Sequence, residues 1–282
     1  AFILMMFNLP IPDGTTAHAV GGTLIALLLG PYAACIAISV ALFIQAIIFG
    51  DGGILSFGAN CFNIAFILPF TGFFIYKILN KIHLSPFYHK CTIFLSAYIS
   101  INLAAFFTAL ELGIQPLLFV DNLGQPLYCP YPLWISIPAM ALSHLTIAGI
   151  AEGLFTLSLY LFILKTSPNI IYDCQQIKLN SIFSLLAFLI IISPLGLIAE
   201  GTAWGEWAPE EILNDTSSGV PLGFIKEKLL NGFNYEAFFP DYTMSGTTDI
   251  LAYIASAIIG VALLIIIFKI LGSIIYAKKQ SL

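Results

Sequence analysis

The chain has 282 residues, of which 59% are hydrophobic and only 9% are charged, and its mean hydropathy is +0.97. Because ordinary soluble domains contain roughly 45–50% apolar and about 25% charged residues, this composition excludes a water-soluble enzyme. All ten basic residues are Lys and the formal net charge is -5, so no basic surface exists to follow a nucleic-acid backbone. The five Cys form no CxxC pair, which predicts neither a zinc site nor a disulfide framework.

Apolar runs of membrane-spanning length recur along the chain. A helix needs about 20 residues to cross the hydrocarbon core of a bilayer, and these runs approach or exceed that length: 32–49, 54–75, 92–118, 134–164, 181–199 and 250–275. A shorter run, 18–29, predicts a helix that begins within the membrane at His18. Residues 1–7 are apolar and predict the last two turns of a helix whose beginning precedes Ala1. We therefore expect an all-α, polytopic integral membrane protein, a bundle of about seven to eight transmembrane helices with the first one truncated.

The Lys positions predict the orientation, since cytoplasmic loops collect basic residues. Counting spans along the chain places the Lys-bearing loops on one side, which we expect to be cytoplasmic: Lys77, Lys81, Lys90, Lys165, Lys178, Lys278 and Lys279. Three regions are expected: a membrane-embedded helical domain over 1–200, an external acidic loop over 201–248 and a C-terminal transmembrane helix over 249–282.

The first polar cluster is the loop 12–22, which lies on the side predicted to be external. Thr15 and Thr16 can hydrogen-bond to neighbouring groups, and His18 stands at the predicted start of the short helix. The positive end of a helix dipole keeps an imidazole neutral, with a nitrogen lone pair available to a transition metal. His18 is therefore interpreted either as a metal ligand or as a simple helix cap.

A second cluster on the same predicted side contains Asp51, Asn60 and Asn63. The two Asn side chains are three residues apart and thus on one helix face, where buried carboxamides need partners. They either support a ligand-binding loop or tie neighbouring helices together.

Ionisable residues within the apolar runs form a third set: Glu111, His144 and Glu152. Such residues are costly in a membrane and are usually functional or paired. In a regular α-helix the offset of eight residues places His144 and Glu152 about 80° apart. Two interpretations remain open, a proton relay and a structural His–Glu pair.

These clusters, in this order, resemble the CbiM/NikM family, the membrane-embedded substrate-capture components of energy-coupling factor transporters for cobalt or nickel ions. The matching stretches extend over nearly all of the chain: 8–22, 29–34, 46–53, 58–63, 144–153 and 194–207. The part from Pro194 onward is similar to the C-terminal, CbiN-like extension of longer family members.

The resemblance implies that region 1–200 captures the metal, with nitrogens from an N-terminal Met-His motif and from a His at the position of His18. The Met-His segment is absent from this chain. The resemblance also implies Co²⁺ or Ni²⁺ as transported substrate and no bound organic cofactor. The loop around His18 looks more like that of members assigned to cobalt uptake, for example towards cobalamin synthesis.

The implied partners are a transmembrane coupling protein (the T component), ATP-binding cassette ATPases, membrane lipid and a small accessory membrane subunit, but no nucleic acid. The implied location is the plasma membrane of a bacterial or archaeal cell, and the chain itself is expected to be a transport subunit without enzymatic activity. Three alternatives stay open. They are a nickel-specific member of the same family, a proton-coupled secondary carrier using His144, Glu152 and Glu111, and an intramembrane enzyme using His18 and Asp51.

Overall fold

The computed structural model describes residues 1–11, 15–82, 85–168, 179–199, 233 and 235–280. In chain order it contains α1 (Phe2–Met5), β1 (Asn8–Ile11), β2 (Thr15–His18), α2 (Gly22–Leu29), α3 (Pro31–Ile44), α4 (Phe57–Asn60), α5 (Leu68–Leu79), α6 (Pro86–Leu118), α7 (Leu133–Ser143), α8 (Gly149–Thr166), α9 (Leu179–Ile192) and α10 (Asp249–Gln280). Two short 3₁₀ segments, Ser193–Ile198 and Pro240–Tyr242, separate α9 from α10.

Within the described residues, six helices are long and apolar enough to cross a membrane. They are Pro31–Phe49, Phe57–Leu79, Pro86–Leu118, Leu133–Thr166, Asn180–Ile198 and Asp249–Tyr276. Each coincides with one of the six apolar runs, so the expected all-α, polytopic fold is confirmed. Together with the shorter α1 and α2, these helices form the bundle.

Three segments of π-helix interrupt the long helices. π1 (Gln45–Phe49) ends α3, π2 (Cys61–Ile67) joins α4 to α5, and π3 (His144–Ala148) joins α7 to α8. A π turn accommodates one more residue than an α turn and is frequent at functional sites. All three segments carry or adjoin a polar cluster that the sequence singles out.

The centre of the bundle is built around α1 and the residues that follow it. The side chains from Phe2 to Phe7 are all at most 5% exposed. Helix α10 packs on this segment, where a Cβ at Gly260 would overlap the ring of Phe2 and the Tyr253 hydroxyl donates to the Met6 carbonyl at 2.6 Å. Close helix contact through small residues is the usual way in which membrane helices associate.

The start of the short helix differs from the sequence-based expectation. A helix over 18–29 is wrong at its beginning, because α2 begins at Gly22 and His18 is instead the last residue of β2. Strands β1 and β2 form an antiparallel hairpin in which Asn8 pairs with His18. Gly21 has a φ of 73° and turns the chain from the strand into α2 in a conformation that favours glycine. His18 therefore does not cap the helix.

Most of the predicted external loop lies outside the described residues, since residues 200–232 and 234 are not described. Its final part is described and packs back on the membrane domain. The Phe239 backbone N–H donates to the Ile48 carbonyl at 2.9 Å, and the Tyr242 ring stacks on Phe49 with ring centroids 4.9 Å apart. These contacts bury Tyr242. Its hydroxyl also bonds to Asp51, which lies 191 residues earlier in the sequence.

Candidate metal centre

His18 presents a buried nitrogen that has no hydrogen-bond partner. It ends β2, and its Nδ1 atom is inaccessible to solvent and unpaired among the residues that the structure describes. Nearly all buried polar atoms in folded proteins are hydrogen-bonded, so an orphaned imidazole nitrogen requires an explanation. A neutral imidazole with a free lone pair is a common ligand for transition metals, and this geometry fits such a role.

Glu152 holds the backbone that follows His18. The side chain is fully buried, and its Oε2 accepts hydrogen bonds from the N–H groups of Val20 at 2.7 Å and Gly21 at 2.9 Å. Oε1 accepts a second bond from Gly21 at 3.1 Å. Because these N–H groups lie at the N-terminus of α2, the carboxylate also meets the positive end of the helix dipole. Glu152 thus fixes the position of the hairpin against α8.

His144 and Glu152 have different partners. His144 Nδ1 lies 2.9 Å from the Met140 carbonyl and 3.0 Å from Ser143 Oγ, whereas Glu152 binds backbone amides. The structure therefore does not show the structural His–Glu pair, which was one of the two interpretations that the sequence left open. The extra residue of π3 reduces their effective offset to about seven α-helical positions, which corresponds to roughly 20° instead of 80°. Glu152 faces the hairpin, since it binds the Val20 and Gly21 amides, and His144 is expected on nearly the same helix face.

Asp51 belongs to a network with the C-terminal part of the chain. Gln45 Nε2 donates to Asp51 Oδ2 and to the Tyr242 hydroxyl, each at 2.9 Å, and that hydroxyl donates to Asp51 Oδ2. Burial, together with the adjacent Asp51 carboxylate, raises the pKa of Tyr242 well above its usual value, so it remains a neutral donor. Asp51 is thus occupied in joining π1 to the segment before α10.

The two Asn residues have separate tasks. Asn60 Nδ2 donates to the Gly52 carbonyl at 2.8 Å and holds the loop that contains Asp51. Asn63 Nδ2 donates to Glu111 Oε2 at 2.7 Å and connects π2 to α6. From sequence, each Asn could either support a loop or connect two helices. In the structure Asn60 supports a loop and Asn63 connects two helices.

The remaining predicted residues lie near His18 but have fewer described contacts. Thr16 is buried in β2 opposite Pro10, while the Thr15 side chain and residues 12–14 are outside the described part of the chain. Among the described residues, no group of three or more His, Cys, Asp or Glu side chains is arranged to hold a metal. The described part of the chain therefore supplies no complete set of metal ligands around His18.

Sequence reasoning did not identify Tyr242 as part of any cluster. Its contacts with Phe49, Asp51 and Gln45 span almost 200 positions, and a single Tyr in a polar loop carries no periodicity. The available signal was the unusual concentration of aromatic residues in the stretch 233–242, just before the last span.

Comparison with known families and proteins agrees with this architecture. The family described as "Cobalt uptake substrate-specific transmembrane region" (CbiM) matches residues 1–170, and the PDGLE domain matches residues 179–277. A probable fused nickel transport protein, LarMN of Lactiplantibacillus plantarum, is 44% identical over 95% of this chain and 81% of its own. The fused nickel transport protein NikMN of Rhodobacter capsulatus is 41% identical over 94% of this chain and 81% of its own.

A crystal structure of a transition metal transporter also matches the fold. It is 48% identical, covers 65% of this chain and 76% of its own, and has a TM-score of 0.56. Six apolar helices and these relatives identify a multi-pass protein of the cell membrane. Since the first family matches more than half of the chain and the fused relatives match nearly all of it, the chain belongs to the CbiM family of metal-uptake membrane proteins, in a fused form that carries a PDGLE domain.

Proposed function

We propose that this protein is the substrate-capture component of an ATP-driven energy-coupling factor transporter that imports Ni²⁺ or Co²⁺. The ion binds on the external side, at the hairpin that carries His18. A transmembrane coupling protein and ATP-binding cassette ATPases provide the energy, and the chain itself is not an enzyme. Its sequence contains no phosphate-binding loop, which supports the assignment of ATP hydrolysis to partner subunits.

The observation that carries this proposal is the buried, unpartnered Nδ1 of His18, on a hairpin that Glu152 holds in place. A single imidazole does not complete a coordination sphere, so further nitrogens are required. An N-terminal Met-His segment, as the family resemblance implies, is the proposed source of these ligands. Thr15, Thr16, Asp51 and Asn60 support the loops on the same side.

We place Ni²⁺ before Co²⁺ as the transported ion. The loop around His18 favoured cobalt, but relatives named as nickel transport proteins are 41–44% identical over most of the chain. Relatives named as cobalt transport protein CbiM are 29–32% identical over about 60% of it. If the ion proves to be Co²⁺, cobalamin synthesis is the proposed use.

Uptake of radioactive Ni²⁺ and Co²⁺ in cells that express the full-length protein with its partners tests the proposal. Because His18 supplies a ligand, His18→Ala abolishes uptake while the protein level and thermal unfolding stay unchanged. Asn60→Ala removes only loop support and lowers uptake by about tenfold. Equal losses from both substitutions would contradict the distinction between ligand and support.

A second experiment separates this function from a proton-coupled carrier. A capture component loses uptake when the ATPase partner is absent, whereas a secondary carrier loses it when the proton gradient is collapsed. The engagement of Glu152 by two backbone N–H groups argues against its use as a mobile proton relay. Uptake that persists without any ATPase would overturn the proposal.

A further inference from the structure

The ends of three membrane helices meet at His89, on the side that the Lys positions predict to be cytoplasmic. His89 lies in the first turn of α6, and its Nδ1 is 3.0 Å from Asn80 Oδ1 at the end of α5. Its ring centroid lies 6.0 Å from that of Tyr76 in α5 and 6.1 Å from that of Tyr160 in α8. These contacts hold the last turns of α5 and α8 against the start of α6.

Four exposed Lys side chains surround this meeting point, and together they form what we call the Lys patch: Lys77, Lys81, Lys90 and Lys165. Lys81 follows Asn80 and Lys90 follows His89, so the 3.0 Å contact between Asn80 and His89 brings the backbones of these two Lys residues close together. Lys77 lies one turn before Lys81, and Lys165 lies in the last turn of α8. Three helices thus contribute positive charge to one region of the surface.

No carboxylate balances these charges among the described residues around them. The ranges 70–82, 85–100 and 155–168 contain no Asp or Glu. The start of α6, where Ser85 Oγ accepts a hydrogen bond from the Tyr88 N–H at 3.2 Å, adds the positive end of a helix dipole. Since like charges that lie close together repel, the Lys patch favours an anionic partner.

The Lys patch is continuous with apolar side chains on the outside of the bundle. Phe74, Ile78, Ile82 and Phe87 are 46–75% exposed. Phe74 and Ile78 belong to the membrane-spanning part of α5, where the surroundings of an exposed side chain are lipid chains. Lys side chains at the end of a membrane helix extend their ammonium groups to the level of the headgroups. A partner that is anionic above and apolar below matches both parts of this surface.

We propose that the Lys patch binds the headgroup of an anionic phospholipid, with the phosphate between Lys81 and Lys90 and the acyl chains along Phe74 and Ile78. The bound phosphate offsets the repulsion among the four ammonium groups. Basic residues next to a membrane attract anionic headgroups in this way. The site takes no part in holding the transported ion, so the inference goes beyond the proposed function.

The test is native mass spectrometry of the purified full-length protein in detergent, with dioleoyl-phosphatidylglycerol and dioleoyl-phosphatidylcholine as probes. The two lipids have the same acyl chains and differ in the charge of the headgroup. We expect phosphatidylglycerol to bind with a Kd at least tenfold lower. Replacement of all four residues of the Lys patch by Gln should abolish this preference. Equal affinity of the wild-type protein for the two lipids would overturn the proposal.

Single substitutions separate the Lys patch from positive charge in general. Lys90→Gln is expected to raise the Kd for phosphatidylglycerol by about fivefold, the effect of one Lys near an anionic surface. Asn80→Ala keeps every charge but removes the contact with His89, and it should also weaken binding. The matched control is Lys269→Gln, since Lys269 is exposed too but lies on α10, which contributes nothing to the Lys patch. A loss in Lys269→Gln as large as in Lys90→Gln would show attraction by net charge alone and contradict the site.

Competition with inorganic phosphate distinguishes a lipid site from a site for free anions. Because phosphate lacks acyl chains, a large excess should not displace phosphatidylglycerol. Displacement would assign the Lys patch to soluble anions and overturn the lipid proposal. So would equal binding of both lipids combined with loss of a co-purifying acidic protein in the Gln variants. None of these measurements uses Ni²⁺ or Co²⁺, so their outcome is independent of the proposed function.

Discussion

Glu152 is a buried carboxylate whose partners are backbone amides. A charge in the membrane interior is expensive unless it is paired or fully hydrogen-bonded, and Glu152 accepts three hydrogen bonds at the start of α2. The favourable dipole of α2 adds to this stabilisation. The residue therefore secures the hairpin, and under the proposed function its effect on metal binding is exerted through the position of His18.

Replacement of Glu152 tests this assignment. Glu152→Ala leaves the N–H groups of Val20 and Gly21 buried without partners, which costs about 3 kcal/mol of stability. Glu152→Gln retains one acceptor oxygen and should lose less. Thermal unfolding in detergent measures the stability, and Ni²⁺ titration should show weaker binding in the same order.

The matched control is Glu111→Gln, since Glu111 is partly buried on α6 and accepts a hydrogen bond from Asn63 instead of from the residues that follow His18. It should alter Ni²⁺ affinity little. A larger loss of affinity in Glu111→Gln than in Glu152→Ala would refute the assigned role of Glu152.

The importance of Glu152 was predictable from sequence, but its partner was not. An acidic residue within an apolar run signals a function or a pairing on energetic grounds alone. Its hydrogen-bond donors are main-chain N–H groups 131–132 residues away. Almost every residue carries such a group, so the sequence does not mark which of them Glu152 binds. His18 was likewise recognisable from its residue type as a candidate ligand, whereas its place at the end of a strand was not.

At the level of elements, π3 changes the angle expected between His144 and Glu152 along the helix. The prediction assumed a regular α-helix through residues 134–164. A π turn leaves hydrophobicity and helical character almost unchanged, so no compositional signal marks it. The hairpin escaped prediction for a related reason, because eight strand residues with one Pro lack a clear period-two pattern.

Two glycines on α10 allow a test of how this helix is held. A Cβ at Gly260 would overlap the Phe2 ring, whereas a Cβ at Gly272 would meet no atom within 4 Å. We expect Gly260→Ala to destabilise the protein by about 1–3 kcal/mol through overpacking. Gly272→Ala should be neutral or slightly stabilising because Ala is the better helix former.

Thermal unfolding of both variants provides the comparison. Because the substitution and the helix are the same, helix propensity cancels and the difference reports the contact with α1. Equal unfolding temperatures would mean that α10 is not anchored on Phe2.

On the scale of the whole molecule, the segment before α10 joins the two parts of the chain that match different families. Tyr242 belongs to the PDGLE-matching part, and its partners Gln45, Phe49 and Asp51 belong to the CbiM-matching part. Ser256 Oγ also donates to the Tyr242 carbonyl at 3.2 Å, which links the same point to α10. The PDGLE-matching part is thus seated directly on the loop that contains Asp51.

The raised pKa of Asp241 predicts that the stability of the contact between the segment before α10 and the Asp51 loop depends on pH. Partial burial and the nearby Asp51 carboxylate raise the pKa of Asp241 above its ordinary value. Since ionisation is disfavoured in the folded state, the charge destabilises the junction above the raised pKa, and this effect disappears as the pH falls through it. Asp241→Asn should therefore raise the unfolding temperature at pH 7–8, with a smaller gain near pH 4.

The comparison between pH values isolates the electrostatic part. Asp241 has a φ of 50°, a left-handed conformation that Asn also adopts readily. Any change in backbone strain caused by Asp241→Asn is therefore independent of pH. An identical gain at both pH values would therefore argue against repulsion between Asp241 and Asp51.

The six long helices were predictable because hydrophobic length alone defines them. Contacts between distant segments, such as Tyr242 with Asp51 or Glu152 with Gly21, were not, because they depend on how the helices pack. The sequence thus identified the spans and singled out candidate residues for the site. Only the fold shows which of those residues meet.

The π turns also determine how the protein should respond to changes in chain length. Each π turn holds one residue more than an α turn, so removing one residue from His144–Ala148 would let a continuous α-helix form across α7 and α8. The shortened helix would remain apolar and long enough to span the membrane. Because the π turn already absorbs one residue, the residues after the deletion would keep their helix faces, and Glu152 would still reach Gly21. A one-residue deletion within π3 is therefore expected to preserve both membrane insertion and the bonds of Glu152 to the hairpin, whereas a deletion between Gly149 and Glu152, in regular α-helix, would rotate Glu152 by about 100° and release the hairpin.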